Sequence, residues 1–143
     1  MIRIAAAAAA ALLLTAAPAL AQSDDNRIVL TFETGARSGT VMVALFDSAS
    51  AFDGGSGRPV ASTAVSASGR EVVAVFENLP AGDYGVKAFH DVNGDGQMNA
   101  NPFGMPIEPF AFSNNAVGNM GPARWSAARF AVSGETAQTI SIR

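Results

Sequence analysis

The chain contains no cysteine, and it has a single histidine, a single tryptophan and a single tyrosine. Without cysteine there is no disulfide framework and no thiolate nucleophile. A lipoprotein anchor, which needs a cysteine at the start of the mature chain, is excluded too. One histidine and no cysteine leave too few ligands for a zinc site. A run of charge of one sign is also missing. The 9 basic and 12 acidic residues are scattered, with no basic stripe, so nucleic acid is not an expected partner. No G-x-S-x-G elbow is present, which removes the commonest serine-hydrolase signature. No stretch beyond the N-terminus carries the 3.6-residue period of an amphipathic helix.

The N-terminus reads as a secretory signal peptide. Met1-Ile2-Arg3-Ile4 is short and positive, residues 5–14 are apolar and small, and Ala19-Leu20-Ala21 is an A-x-A cleavage site. The apolar run is short for a membrane span, which needs roughly 20 residues. Cleavage after Ala21 leaves 122 residues with a formal charge of −4, enough for one domain with its own core. The expected division is therefore a signal peptide at 1–21, a flexible mature N-terminus at 22–26 and a β-domain at 27–143. The location it implies is the periplasm or the exterior, with no membrane span after cleavage.

Beyond the leader, the pattern is period two. Ile28, Leu30 and Phe32 alternate with Val29, Thr31 and Glu33, which predicts a strand. Residues 40–46 are apolar on both faces, as in a central strand covered at least partly on both sides. Residues 60–67 and 70–77 follow as strands. Next come the Asn78-Leu79-Pro80-Ala81-Gly82 connection and a strand with Tyr84, Val86 and Ala88 on one face and Lys87 and Phe89 on the other. Short strands at 129–132 and 136–142 close the chain. Residues 102–125, rich in proline and glycine, form a section too long for an ordinary connection. Its Phe103, Phe110, Phe112 and Trp125 favour wrapping of the core, with an exposed platform for a sugar or an apolar partner as the alternative. About seven strands separated by turn residues predict an all-β fold, a single immunoglobulin-like or transthyretin-like β-sandwich.

The most specific chemistry lies in residues 90–101, His-Asp-Val-Asn-Gly-Asp-Gly-Gln-Met-Asn-Ala-Asn. Asp91, Asn93 and Asp95 followed by Gly96 match the front half of a calcium loop, D-x-[DN]-x-[DN]-G. Calcium takes six to eight oxygens. Asp91, Asn93, Asp95 and Asn99 offer side-chain oxygens and Gln97 its carbonyl. The twelfth position, normally a bidentate glutamate, is Pro102, and no helix flanks the loop, so this is not an EF-hand. The missing ligand must come from outside the loop. Glu108 is the candidate and Asn101 the alternative. A plain reading stays open: Asn93-Gly94 and Asp95-Gly96 are also good turn dipeptides that need no ion. His90 falls on the core face by parity, at the rim of the core. A catalytic role as a base beside Asp91 is the alternative.

The stretch Phe76-Glu77-Asn78-Leu79-Pro80-Ala81-Gly82-Asp83-Tyr84-Gly85-Val86 resembles a corner found in secreted prealbumin-like sandwiches. With His90-Asp91-Val92-Asn93-Gly94-Asp95-Gly96, Phe103-Gly104-Met105-Pro106-Ile107-Glu108 and Phe112-Ser113-Asn114-Asn115 following in order, the chain resembles the bacterial family catalogued as domain of unknown function 2141. Gly121-Pro122-Ala123-Arg124-Trp125 and Ala128-Arg129-Phe130 fit the same pattern, and the resemblance runs from about residue 30 to 142. It implies an exported β-sandwich in which the corner tyrosine packs inward and bonds backbone. It supplies no reaction.

The reading is therefore a non-enzymatic exported β-sandwich, stabilised by calcium at Asp91, Asn93, Asp95, Gln97, Asn99 and Glu108. It is expected to be monomeric and to serve binding or envelope structure, its partner an unidentified protein, glycan or small molecule. The alternative is a hydrolase on envelope polymer or a small ester, using His90 with Asp91 or Glu108. A carrier of a small apolar ligand inside the sandwich is a third option.

Overall fold

The computed structural model describes residues 25–54 and 57–143. The expected signal peptide at 1–21 lies outside the described residues. Among the described residues, eight strands form two sheets. In the first, β4 (Glu71–Leu79) pairs antiparallel with β1 (Asn26–Glu33), and β1 pairs in parallel with β8 (Glu135–Ser141). In the second, β3 (Ala61–Ala67), β2 (Gly39–Phe46), β5 (Gly82–Asp91) and β6 (Phe110–Phe112) lie in that order, and β7 (Phe130–Val132) pairs with the start of β5. This is the all-β sandwich that the alternating sequence predicts.

Strand parity sorts the side chains. Ile28, Leu30 and Phe32 of β1, Val41, Val43 and Leu45 of β2, and Tyr84, Val86 and Ala88 of β5 all point between the sheets. The largest of these sequester about 1.5–3 kcal/mol each, and with no disulfide available they carry the fold. Tyr84 sits at the corner that the resemblance implies. It is buried, and its hydroxyl donates to Pro80 O at 2.8 Å. Asn26, placed by the sequence in a flexible lead-in, instead opens β1. It is buried, and its amide donates to Leu79 O at 2.8 Å.

Two features escape the periodicity. Strand β6 lies within the 102–125 section, whose composition shows only turns. It is three residues long and is defined by pairing with β5, Lys87 opposite Phe112 and Phe89 opposite Phe110. Two single-turn helices, α1 (Ala49–Asp53) and α2 (Trp125–Ala128), are too short to display a helical period. Aromatic packing holds them. Phe52 meets Phe46 at 5.5 Å and Trp125 at 5.7 Å between ring centroids, both edge-on. With Phe112, Ala123 and Ala128 they form a second apolar cluster on the outer face of the second sheet. Gly85 floors it: a Cβ there would lie 3.0 Å from Trp125 and 3.1 Å from Phe52.

The Ser113-Asn114-Asn115 turn ties the section down. Ser113 Oγ, fully buried, accepts from Val86 N–H and donates to Ala128 O. The Asn115 amide donates to Thr139 O and accepts from Ser141 N–H. A side chain thereby supplies the pairing that an exposed edge strand would otherwise offer to another chain.

Replacing Tyr84 with phenylalanine keeps the buried ring and deletes the bond to Pro80 O. The expected loss is about 0.5–1.5 kcal/mol in urea unfolding. An unchanged midpoint would show that the corner is held by packing alone.

Candidate functional site

Strand β5 delivers the loop. Its last residue, Asp91, is 2% exposed and lies on the outer face of the second sheet, paired with Thr40 of β2. Its carboxylate is the loop's first anchor: Oδ1 accepts from Gly94 N–H at 2.7 Å and Oδ2 from Gly96 N–H at 2.8 Å. Both glycines have positive φ, 76° and 74°, a conformation that costs other L-residues about 1–2 kcal/mol. The D-x-N-G-D-G spelling therefore folds the backbone around one carboxylate.

Three further side chains meet beside that anchor. Asp95 Oδ2 accepts from Asn99 Nδ2 at 2.8 Å and from Asn93 Nδ2 at 3.2 Å, while Asn93 Nδ2 also reaches Asn99 Oδ1 at 2.9 Å. Asp95 Oδ1 accepts from Gln97 N–H at 2.9 Å, and Asn93 Oδ1 from Asp95 N–H at 3.2 Å. The Asn99 amide, the Gln97 N–H and the Asn93 amide together hold the Asp95 carboxyl below its ordinary value of 3.8. The cluster is solvent-exposed; Asp91 beneath it is not.

Glu108 arrives from outside the loop, as expected, and closes it. It is 8% exposed. Its Oε1 accepts from Val92 N–H at 3.0 Å and its Oε2 from Asn99 N–H at 3.1 Å. One carboxylate thus clasps the first and last turns. Asn101, the alternative outside ligand, serves a different turn, accepting from Phe103 N–H and Met105 N–H.

The six expected residues divide by role. Asn93, Asp95 and Asn99 converge; Asp91 and Glu108 face backbone N–H groups below them; Gln97 contributes backbone, and its side chain makes no hydrogen bond among the described residues. Among the described residues, no group of three or more His, Cys, Asp or Glu is placed to hold a metal. A cation here would therefore lean on amide and carbonyl oxygens. The donor set fits calcium in kind. It is all oxygen, the amide O and N atoms are exchangeable by rotation, and each carboxylate has about four lone-pair positions, of which the Asp91 and Glu108 bonds use two each.

His90 is fully buried on the core face of β5. Its Nε2 lies 3.1 Å from Ser38 O, and its Nδ1 has no hydrogen-bond partner. It is in place as a rim-of-core residue, not at the mouth of a cleft. Of the four aromatics, Phe112 is buried and Trp125 half-buried in the second cluster, Phe110 is 38% exposed and Phe103 lies out in solvent.

The sequence reading passed over a groove on the outer face of the second sheet, about 1340 Å³, beside the loop. Its signal was present: residues 40–46 are apolar on both faces, yet the second cluster covers only one end of that outer face.

The family profile described as "Uncharacterized protein conserved in bacteria (DUF2141)" matches residues 33–141. Neither the curated proteins nor the solved structures include a match.

Two outcomes test the loop geometry. Glu108→Gln removes one acceptor oxygen and turns an NH2 toward a backbone N–H. It is expected to destabilise the fold by about 1.5–3 kcal/mol, the range for a bond to a charged group, measured by chemical denaturation. In metal-free protein followed by NMR, Asp95 is expected to titrate below 3.8, and Asn99→Ala to move it back up. Because the folded value is the lowered one, its contribution to stability is present above pH 3.8. It is lost as the pH falls through the folded value. A wild-type Asp95 titrating at or above 3.8 would contradict the cluster. The match over most of the chain makes this protein a member of the bacterial family of domain of unknown function 2141.

Proposed function

We propose that the protein is an exported, non-enzymatic β-sandwich module whose 91–99 loop takes a structural calcium ion. The observation that carries this reading is the convergence of Asn93, Asp95 and Asn99 over the buried Asp91, closed from outside by Glu108. Asn93, Asp95 and Asn99 would hold the ion through side-chain oxygens and Gln97 through its carbonyl, while Asp91 beneath them and Glu108 from the adjacent segment hold the loop in shape and offer the lone pairs that their N–H bonds leave free. Bound there, calcium supplies charge neutralisation and order, with no role in activating water. One converging carboxylate, with amide and carbonyl oxygens for the rest, suits the weak affinity of extracellular modules, about 10⁻⁴–10⁻³ M. The leader sequence supports export, and no helix among the described residues is long and apolar enough to cross a membrane.

A hydrolase built on His90 is the weaker reading. His90 faces the core, and both oxygens of Glu108 are engaged by backbone N–H groups. Neither lines the groove.

A thermal melt with calcium, with magnesium and with a chelator tests the proposal. At ten times its dissociation constant, calcium would stabilise the fold by about 1.4 kcal/mol, a rise of several degrees in Tm for a domain of this size. The rise should be absent with magnesium and in an Asp91→Ala, Asp95→Ala double variant. No shift at millimolar calcium would reduce the loop to a set of hydrogen-bonded turns.

A further inference from the structure

The groove has a floor set by strand register. On the outward face of the second sheet, Ala64, Met42, Phe89 and Phe110 stand side by side on β3, β2, β5 and β6. The adjacent row is Ser62, Ala44, Lys87 and Phe112. The first row is apolar throughout. The second carries one cation. At one end the second aromatic cluster closes the face. Along the sides, the walls come from the irregular segments, through Met98, Met105, Pro106 and Met120.

Two compositional facts single this groove out. Four of the five methionines in the chain, all those after Met1, line it. Methionine is the unbranched, polarisable side chain that adapts to flexible apolar ligands. Met105 and Met120 are 59% and 103% exposed, so nothing in the sandwich itself requires them to be apolar. Lys87 is the only lysine in the sequence and the only charged side chain on the groove lining. Its Nζ lies 4.6 Å from the Phe52 ring centroid and 5.2 Å from that of Phe46, and it donates to Phe52 O at 2.5 Å. Among the described residues its other two N–H groups have no hydrogen-bond partner. Asp53 attracts it through space, but burial outweighs that attraction and lowers the ammonium pKa below its ordinary value. A half-buried cation short of acceptors, at the end of an apolar trough, is complementary to one kind of molecule.

We infer that the groove binds a single-chain amphiphile with an anionic head, its alkyl tail along the Met42–Phe89–Phe110 row and its carboxylate on Lys87. Usual ligand pockets are about 300–1,000 Å³, mostly apolar, with a few fixed polar groups. This one is larger and open on one side, as suits a flexible chain better than a rigid ring system. The inference goes beyond the calcium reading, since the floor belongs to the sheet and not to the loop.

Calorimetric titration of the purified protein with three probes that share a twelve-carbon tail decides it. Laurate is expected to bind saturably at one per chain. Dodecyltrimethylammonium, with the opposite charge, should bind at least about tenfold more weakly, the scale of one charge-assisted contact. Lys87→Gln should weaken laurate by about tenfold and leave dodecanol unchanged. Because Lys87 also caps Phe52 O, a second variant guards against misfolding. Ala64→Glu, on an exposed position of β3, places a carboxylate on the floor and should abolish laurate binding with the melting curve intact. No saturable heat with laurate, equal binding of the cationic probe, or unaltered laurate affinity in folded Ala64→Glu would each overturn the inference.

Discussion

The rest of the structure depends on the alternation of side chains along β5. Over ten residues this strand sends Tyr84, Val86, Ala88 and His90 between the sheets and Gly85, Lys87, Phe89 and Asp91 to the outer face. A slip of one residue would exchange the two sets. Lys87 and Asp91 would then enter an apolar core, and the tyrosine would lose the corner at Pro80. Pairing with β2 on one side and with β6 and β7 on the other fixes the register. The parity that builds the core therefore also presents the lysine, the groove floor and the loop anchor on one face.

The loop depends on Asp91 differently from Asp95. Asp91 is buried and spends its carboxylate on Gly94 and Gly96 N–H, so it shapes the chain. Asp95 is exposed and gathers amide side chains, so it shapes the surface. Glu108 links the two scales, since its bonds to Val92 and Asn99 N–H tie the proline-rich segment to both ends of the loop. Pro102 at the twelfth position turns the chain instead of ligating, and the acidic group returns six residues later from a neighbouring segment.

The outer face of the second sheet is divided between two solutions to one problem. An apolar sheet face must be covered or used. At the Phe46 and Gly85 end it is covered by Phe52 and Trp125, carried on single-turn helices. At the Met42 and Phe89 end it stays open, with methionines on the walls. Lys87 stands on the boundary, lining the groove while its ammonium lies over the Phe46 and Phe52 rings.

Sequence alone determined the elements whose signal is local. The period-two runs at 28–33, 70–77 and 84–89 placed core strands, because one buried face forces alternation, and the apolar run at 40–46 placed a central one, covered at least partly on both faces. The D-x-N-G-D-G spelling placed the tight loop, because positive φ and short acceptor side chains are properties of neighbouring residues. Glu108 was within reach of sequence reasoning only because the twelfth position was visibly wrong. What tertiary structure decided has no local signature. Strand β6 exists by pairing with β5, and α1 and α2 exist by aromatic packing. Asn26 is ordered by contacts with Leu79 and Gly134, 53 and 108 residues away. The groove is the most non-local feature of all. Met42, Lys87, Met98, Met105 and Met120 are scattered along the chain, and only cross-strand register and the folding-back of the 102–125 section bring them to one surface.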